Sequence, residues 1–518
     1  MRITNKLALV FLLSLCIASP SFSASKQSSE KLSSNDYKAL KICEGVIELF
    51  RQLPDSVWPG YNLAEKPFLF YMPERWALLV NYSNKTNGFT GYPEEWPDLG
   101  TDIQYFQGKY NDLAGQLAFN VPIDTVKVAA VPFWEKTTVE MFGFITHEFF
   151  HQYQYNTYWE THWEREEKYP IQDTENTALA YLEMRLLMDA LQMTKVDNRE
   201  ACREYVKQFV AVRNHRWSQI DSFVRRYEQG KETQEGTAKY VELKGVSLVT
   251  QLKYKSSLSG LTRSLLEDFS SISMPEFLLA DFQERITGNS VSPEDMPRNR
   301  IYPVGSAQGF LLDYLMIDWK SRVQQAGPEF TFVALLQDNL GVDESRYEDL
   351  LKKAKSSYDY EEIMSLTKKL IQEYIGGFEK ELQSFEAQPG YRIEIELNPN
   401  GVRRSRSSSA KKWIVDRGTR ELKNHFNIYS LKSDNLLLQV HDVGLYEQND
   451  WDVSKKKVIF FVPEIASISL NDELIEPTEG LLYQFENIEI LGENLKFRYS
   501  KTGTVVLTER SIKINIIP

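Results

Sequence analysis

The stretch Thr137–Asn156, "TTVEMFGFITHEFFHQYQYN", decides how the middle of the chain is read. Thr137 and Glu140 are spaced as a capping box, so the pattern predicts a helix starting just upstream of the histidines. On that helix Phe142, Ile145 and Phe149 fall on one side at helical spacing. His147 and His151 are four residues apart and fall together on roughly the opposite side, with Glu148 projecting between the two faces. Gly143, one turn before His147, leaves room for a neighbouring segment. Two imidazoles one turn apart can both reach a single ion at about 2.0–2.1 Å. A glutamate between them need not bind the ion. It can take a proton from water whose pKa zinc lowers to about 7, and pass that proton to a leaving amine. The expectation is one Zn2+ per chain on His147 and His151, with Glu148 as general base. The plain alternative is a pair of packed or exposed histidines.

Upstream, "TVKVAAVPFW" (125–134) reads as a strand. A strand beside such a helix offers an edge on which an extended peptide can pair. "PFLFYMP" and "WALLVNY" make residues 65–133 strand-rich, and Asp36–Leu53 reads as a helix. The start, "MRITNKLALVFLLSLCIASPSFSASK", has the form of a secretory signal peptide over residues 1–23. Arg2 and Lys6 form its basic end, Leu7–Ala18 its apolar stretch, and Ser21 and Ser23 its small residues. Leu15 stands where a lipoprotein needs a small residue, so lipidation at Cys16 is not expected. No later segment is apolar enough to span a membrane. The mature chain is therefore expected to be exported, to the periplasm or beyond, without a transmembrane segment.

Losing Arg2 and Lys6 takes the formal charge from −12 to −14. Such a chain is a poor general binder of nucleic acid. Export leaves Cys43 and Cys202 either as one disulfide or as two separate buried thiols.

Downstream, the chain reads as helical from Lys136 to about Phe385. "DTENTALAYLEMRLLMDALQM" (173–193) carries a leucine stripe. "NREACREYVKQFVAVRNHRWSQIDSFVRRYE" (198–228) reads as one long helix ended by Gly230, and "ETQEGTAKYVELKGVSLVTQLKY" (232–254) as another. Further helices are expected over Phe310–Val323, Glu329–Gln337 and Tyr360–Phe385. Near Pro389 the pattern changes to short strands: "YRIEIEL", "NLLLQVH", "KVIFFVP", "LKFRYS", "TVVLTE" and "SIKINIIP". "RRSRSSSAKK" (403–412) reads as a solvated loop among them. The fold class is α+β. The expected plan is a signal peptide (1–23), a helix and strand-rich part of a catalytic unit (24–135), a mostly helical zinc-peptidase-like domain (136–388) and a small antiparallel β domain (389–518).

A catalytic zinc usually has three protein ligands and a water. His162 is eleven residues past His151, too far for a third histidine six residues on, and lies in a stretch read as a loop. Three glutamates are candidates. Glu175 follows His151 by 24 residues, a spacing that suits compact sites. Glu183 lies in the leucine stripe, where it is a candidate third ligand or a partner for a ligating histidine. Glu235 is followed by Gly236 and Ala238, small residues that let its helix pack closely against the metal helix, with Tyr240 nearby.

The combination of His-Glu-x-x-His with a later "EG-x-A-x-Y" resembles the gluzincins, zinc metallopeptidases whose third ligand is a glutamate on a later helix. More narrowly, "HEFFHQYQ", "ENTALAYLEMRLLMDAL", "QEGTAKYVE" and "YPVGSAQGFLLDYL", spread over Pro67–Trp319, resemble a group of uncharacterised secreted bacterial proteins with His-Glu-x-x-His helices. Gln234 and Lys239 depart from the asparagine and acidic residue of that group. The resemblance implies Glu235 as third ligand. Tyr302, opening the helix of "YPVG", is a candidate donor to an oxyanion.

These readings converge on an exported zinc metallopeptidase that acts on peptide or protein substrates without a covalent adduct. A non-peptidase zinc amide hydrolase uses the same chemistry. The rival from another class is an exported binding or assembly protein whose metal site is structural or inactive. The intact Glu148 argues against that rival, since a structural site has no need of a general base. Nothing in the sequence sets the oligomeric state.

Overall fold

Beside β6 (Val126–Pro132), which leads into the histidine helix, the chain builds a six-stranded sheet. The computed structural model describes residues 32–110, 120–124, 126–134, 136–158, 165–252, 269, 273–287, 290–408, 410–476 and 480–516. The expected signal peptide, including Cys16, lies outside these residues, as does His162. The chain is α+β and divides into two compact units. One unit contains residues 25–164 and 175–366, the other 165–174 and 367–518.

In the first unit, helix α1 (Ser34–Gln52) precedes β1 (Phe68–Met72), β2 (Trp76–Val80), β3 (Thr90–Gly91), β4 (Ile103–Gln107), β5 (Asn120–Ile123) and β6. The strand order is β3-β4-β2-β1-β6-β5. β6 runs parallel to β1 and antiparallel to β5. β6 is thus paired on both sides, and among the described residues the sheet's edge next to it is β5. This corrects the expectation that the strand before the helix offers that edge.

Helix α2 (Thr138–Thr157) follows directly, opened by the expected capping box: Glu140 N donates to Thr137 Oγ1 (3.3 Å) and Thr137 N to the Glu140 carboxylate (3.0 Å). Its apolar side, with Phe142, Ile145 and Phe149, is buried, and the Phe149 ring packs 4.6 Å from that of Phe68 on β1. Helix α3 (Thr174–Lys195) comes next. The expected single helix over 198–228 is two, α4 (Arg199–Gln219) and α5 (Ser222–Lys231). Asp221 breaks it by accepting from Phe223 N (2.8 Å) as a new N-cap. Gly230 ends nothing: α5 passes through it into a π-helical turn, Glu232–Gly236, and on into α6 (Thr237–Leu252). After α7 (Met274–Glu284) and a short hairpin of β7 (Ile286–Thr287) and β8 (Ser290–Val291), α8 covers Ile301–Tyr314 and α9 Lys320–Ala326, in place of one helix over 310–323. Then come α10 (Phe332–Leu340), α11 (Tyr347–Ser357) and α12 (Tyr360–Glu386). Cys43 and Cys202 are both free and buried, the second of the two expected alternatives.

Three fully buried arginines knit these helices together. Arg213 and Arg216 on α4 both meet Glu183 on α3 (2.7 Å each). Arg216 also meets Glu228 on α5 (2.6 Å), Arg213 meets Glu232 at the start of the π-helical turn (2.8 Å), and Arg300 bonds Glu228. Removing one member would leave buried charge uncompensated.

The division between units falls within α12, just after Leu366, while the helix itself ends at Glu386, close to the expected change at Pro389. The second unit holds β9 (Tyr391–Leu397), β10 (Arg403–Ser407), β11 (Lys412–Val415), β12 (Arg420–Lys432), β13 (Leu436–Asp450), β14 (Lys455–Val462), β15 (Ser467–Leu470), β16 (Glu473–Leu474), β17 (Leu482–Phe485), β18 (Ile488–Gly492), β19 (Leu495–Tyr499), β20 (Gly503–Leu507) and β21 (Ser511–Asn515). They form one curved sheet around one apolar core, antiparallel except where β21 runs parallel to β9. The run "RRSRSSSAKK" is exposed over Arg403–Arg406, as expected, but is largely strand rather than loop. It contributes β10 and the start of β11, and its Arg404, Arg406 and Lys412 converge on Glu167 (3.3–3.9 Å). Burial opposes the Glu167 charge, but these cations hold its pKa down at about 2.

Candidate metal centre

His147 and His151 leave the same face of α2, as their spacing requires. Glu235 reaches them from the π-helical turn that joins α5 to α6. Such turns insert a residue into a helix and are frequent at functional sites. Close approach of three segments makes the meeting possible. A Cβ on Gly143 would lie 3.0 Å from Glu242 Cγ, so the glycine one turn before His147 admits that side chain from α6. A Cβ on Gly236 would lie 2.6 Å from Gly305 Cα, so α8 crosses the turn backbone to backbone. That crossing brings Tyr302, on the first turn of α8, against His147, with ring centroids 5.9 Å apart and planes 21° from parallel.

Three atoms converge. His147 Nε2 and His151 Nε2 are 3.1 Å apart, and Glu235 Oε2 is 3.5 Å from the first and 3.3 Å from the second. Ligands at 2.0–2.1 Å around a tetrahedral ion stand about 3.3–3.4 Å from one another, so this triangle is one face of such a tetrahedron. The hydrogen bonds behind it fix what these atoms offer. Gln154 donates from Nε2 to Gln234 O (2.9 Å) and Thr237 Oγ1 (2.7 Å). Its Oε1 can then only accept, so His151 Nδ1, 2.7 Å away, carries a proton. Glu242 likewise accepts from His147 Nδ1 (3.2 Å) and is itself held by Lys239 (2.6 Å). As neutral rings, both imidazoles would therefore present bare Nε2 lone pairs to the Glu235 carboxylate, three acceptors with no donor among them. That arrangement asks for a cation, and two nitrogens with one carboxylate oxygen suit zinc. The residues fit the group.

Electrostatics agree. Burial opposes a charge on His147, but its bonds to Glu235 and Glu242 and the nearby charge of Glu148 lift its pKa to about 10. Burial also opposes ionisation of Glu235, yet the two histidines hold it well below the ordinary carboxylate range. Burial works against Glu242 in the same way, and Lys239 and His147 bring it down to about 2. With both carboxylates ionised and no metal, a proton on His147 takes the place of the cation.

Of the other expected residues, Glu148 is half-buried on the histidine helix and makes no hydrogen bond or ion pair among the described residues. Tyr302 is half-buried beside His147. Neither alternative third ligand joins the cluster. Glu175 is exposed on the first turn of α3. Glu183 is fully buried but bound by Arg213 and Arg216 of α4. Its expected role beside a ligating histidine belongs to Glu242 and Gln154, which sequence reasoning missed. Both carried a signal: Gln154 lies three residues past His151, and Glu242 seven past Glu235. Lys239, noted as a departure, supplies the cation that balances Glu242.

No family model matches the chain, and neither the curated proteins nor the solved structures give a match.

Proposed function

We propose that this chain is an exported zinc metallopeptidase. The observation that carries the reading is the convergence of three acceptor atoms, at tetrahedral spacing, beside a carboxylate that nothing else among the described residues engages. His147, His151 and Glu235 would hold the ion. Zinc there supplies a Lewis acid and a water acidic enough to react near neutral pH. Glu148 then takes the proton of the attacking water and returns it to the leaving nitrogen. Tyr302, against His147, donates to the carbonyl oxygen as it gains charge. An extended substrate has the edge of β5 to pair with. Among the described residues no helix is long and apolar enough to cross a membrane.

The test is elemental analysis of purified protein beside His151→Ala, followed by a peptide-library screen with Glu148→Gln as control. About one zinc per chain, absent from His151→Ala, with hydrolysis lost by roughly a hundredfold or more in a Glu148→Gln protein that keeps its zinc, supports the reading. A fully active Glu148→Gln would remove the general base. Zinc without hydrolysis of any peptide would favour a binding or assembly role, with recognition moved to the β unit.

A further inference from the structure

Tyr302 has one hydroxyl proton, and its neighbours decide where that proton points. The phenol oxygen lies 3.3 Å from Arg298 Nη2. A guanidinium has five donors and no acceptor, so in this contact Arg298 donates and Tyr302 accepts. The phenol proton cannot point at Arg298. On its other side the Tyr302 ring lies against His147 of the centre, with centroids 5.9 Å apart, and a phenol carries its proton at neutral pH. The hydroxyl is therefore polarised from the exposed Arg298 toward the centre.

We propose that Arg298 is a positioning residue that aims the Tyr302 hydroxyl proton into the metal centre, onto the substrate oxygen that becomes negative. This rests on the peptidase reading above. Arg298 lies four residues before Tyr302, in the turn that leads into α8, and is exposed. It reaches the centre through the phenol. Without it, solvent can accept the phenol proton and turn the donor outward. A donor already pointed at the developing charge needs no reorganisation in the transition state, and this preorganisation is what Arg298 contributes.

Because the effect runs through one hydroxyl, a double-mutant cycle tests it. The readouts are kcat and KM on a peptide found by the screen, and affinity for a phosphonamidate peptide whose tetrahedral oxygens mimic the charged intermediate. Tyr302→Phe should lower kcat by about a hundredfold or more. Arg298→Met should lower kcat and analogue affinity by about tenfold, leaving KM and zinc content within about twofold. Arg298→Lys, which also can only donate, should recover most of that loss. Added to Tyr302→Phe, Arg298→Met should change nothing further. Independent, multiplicative losses in the double variant would overturn the proposal, as would an Arg298→Lys protein no better than Arg298→Met. A Tyr302 effect with no Arg298 effect would remove the positioning role and leave the peptidase reading intact. A zinc-loaded wild type that neither cleaves peptides nor binds the analogue would overturn both.

Discussion

Glu232 and Glu235 stand three residues apart on one π-helical turn, yet their carboxylates belong to opposite kinds of cluster. Glu232 accepts from Arg213 (2.8 Å) and Gln308 (2.8 Å) in a network where Arg213, Arg216 and Arg300 face Glu183, Glu228 and Glu232. Formal charges balance there, three arginines against three glutamates. Glu235 meets two imidazole nitrogens that are themselves acceptors whenever the rings are neutral. Both clusters are buried and both are rich in ionisable groups, so neither burial nor charge content separates them. What separates them is unsatisfied valence: one set of lone pairs is matched by donors, and the other points at a common vertex. The matched cluster fixes the turn, and the unmatched one uses it.

Breaking each cluster should give opposite results. Arg216→Met removes a cation from between two buried carboxylates, and should cost roughly 3–5 kcal/mol in urea unfolding of the metal-free protein. Glu235→Ala should lower that stability less than Arg216→Met, since it takes one carboxylate partner from His147 and from Lys231 (3.7 Å), while weakening zinc by on the order of a thousandfold, because it deletes a ligand. Glu175→Ala should leave zinc as it is. If Glu175→Ala instead lost zinc and Glu235→Ala kept it, the third ligand would be Glu175 and the contrast between the clusters would collapse.

Much of this was legible in the sequence. Spacing and capping placed His147, Glu148 and His151 on one helix, since both signals are local. The α+β division was legible from the change in period near Pro389. Partner identity was not. Whether Glu183 meets His147 or Arg216 depends on which way the leucine stripe faces, and a stripe that is apolar on several sides does not encode its neighbour. The break at Asp221 was invisible because a capping aspartate in a helical run looks like any surface acid. β12 escaped because its outward positions, such as Asn424, His425 and Asn427, dilute the apolar alternation of a strand with one wet face.

The residues behind the ligands sharpen the comparison at a smaller scale. Gln154→Leu removes the acceptor that holds the His151 Nδ1 proton, and strands donors on no other ligand of the centre. Zinc affinity should fall about 10–100-fold, the usual cost of losing such support, with metal-free stability lowered less than in Arg216→Met. Competition against a calibrated chelator reads this directly. No change in affinity would mean that the Gln154 contact does not set the His151 tautomer.

The finest contrast is in pH. The arginines of the matched cluster keep their protons at any ordinary pH. His147 does not have to. Its pKa of about 10 in the metal-free protein lies above the 6.5 of an unfolded histidine, so its protonation stabilises that form fully below pH 6.5, and the stabilisation is lost as pH rises through about 10. Zinc needs the same imidazole neutral, so at pH 7 its binding should release close to one proton per chain. Between pH 6 and 8 zinc affinity should therefore rise about tenfold per pH unit, roughly 1.4 kcal/mol for each. Calorimetry in buffers of different ionisation enthalpy counts the proton, and chelator competition gives the slope. A flat profile with no proton released would mean that the metal-free centre holds His147 neutral, and that its three acceptors tolerate one another without a cation.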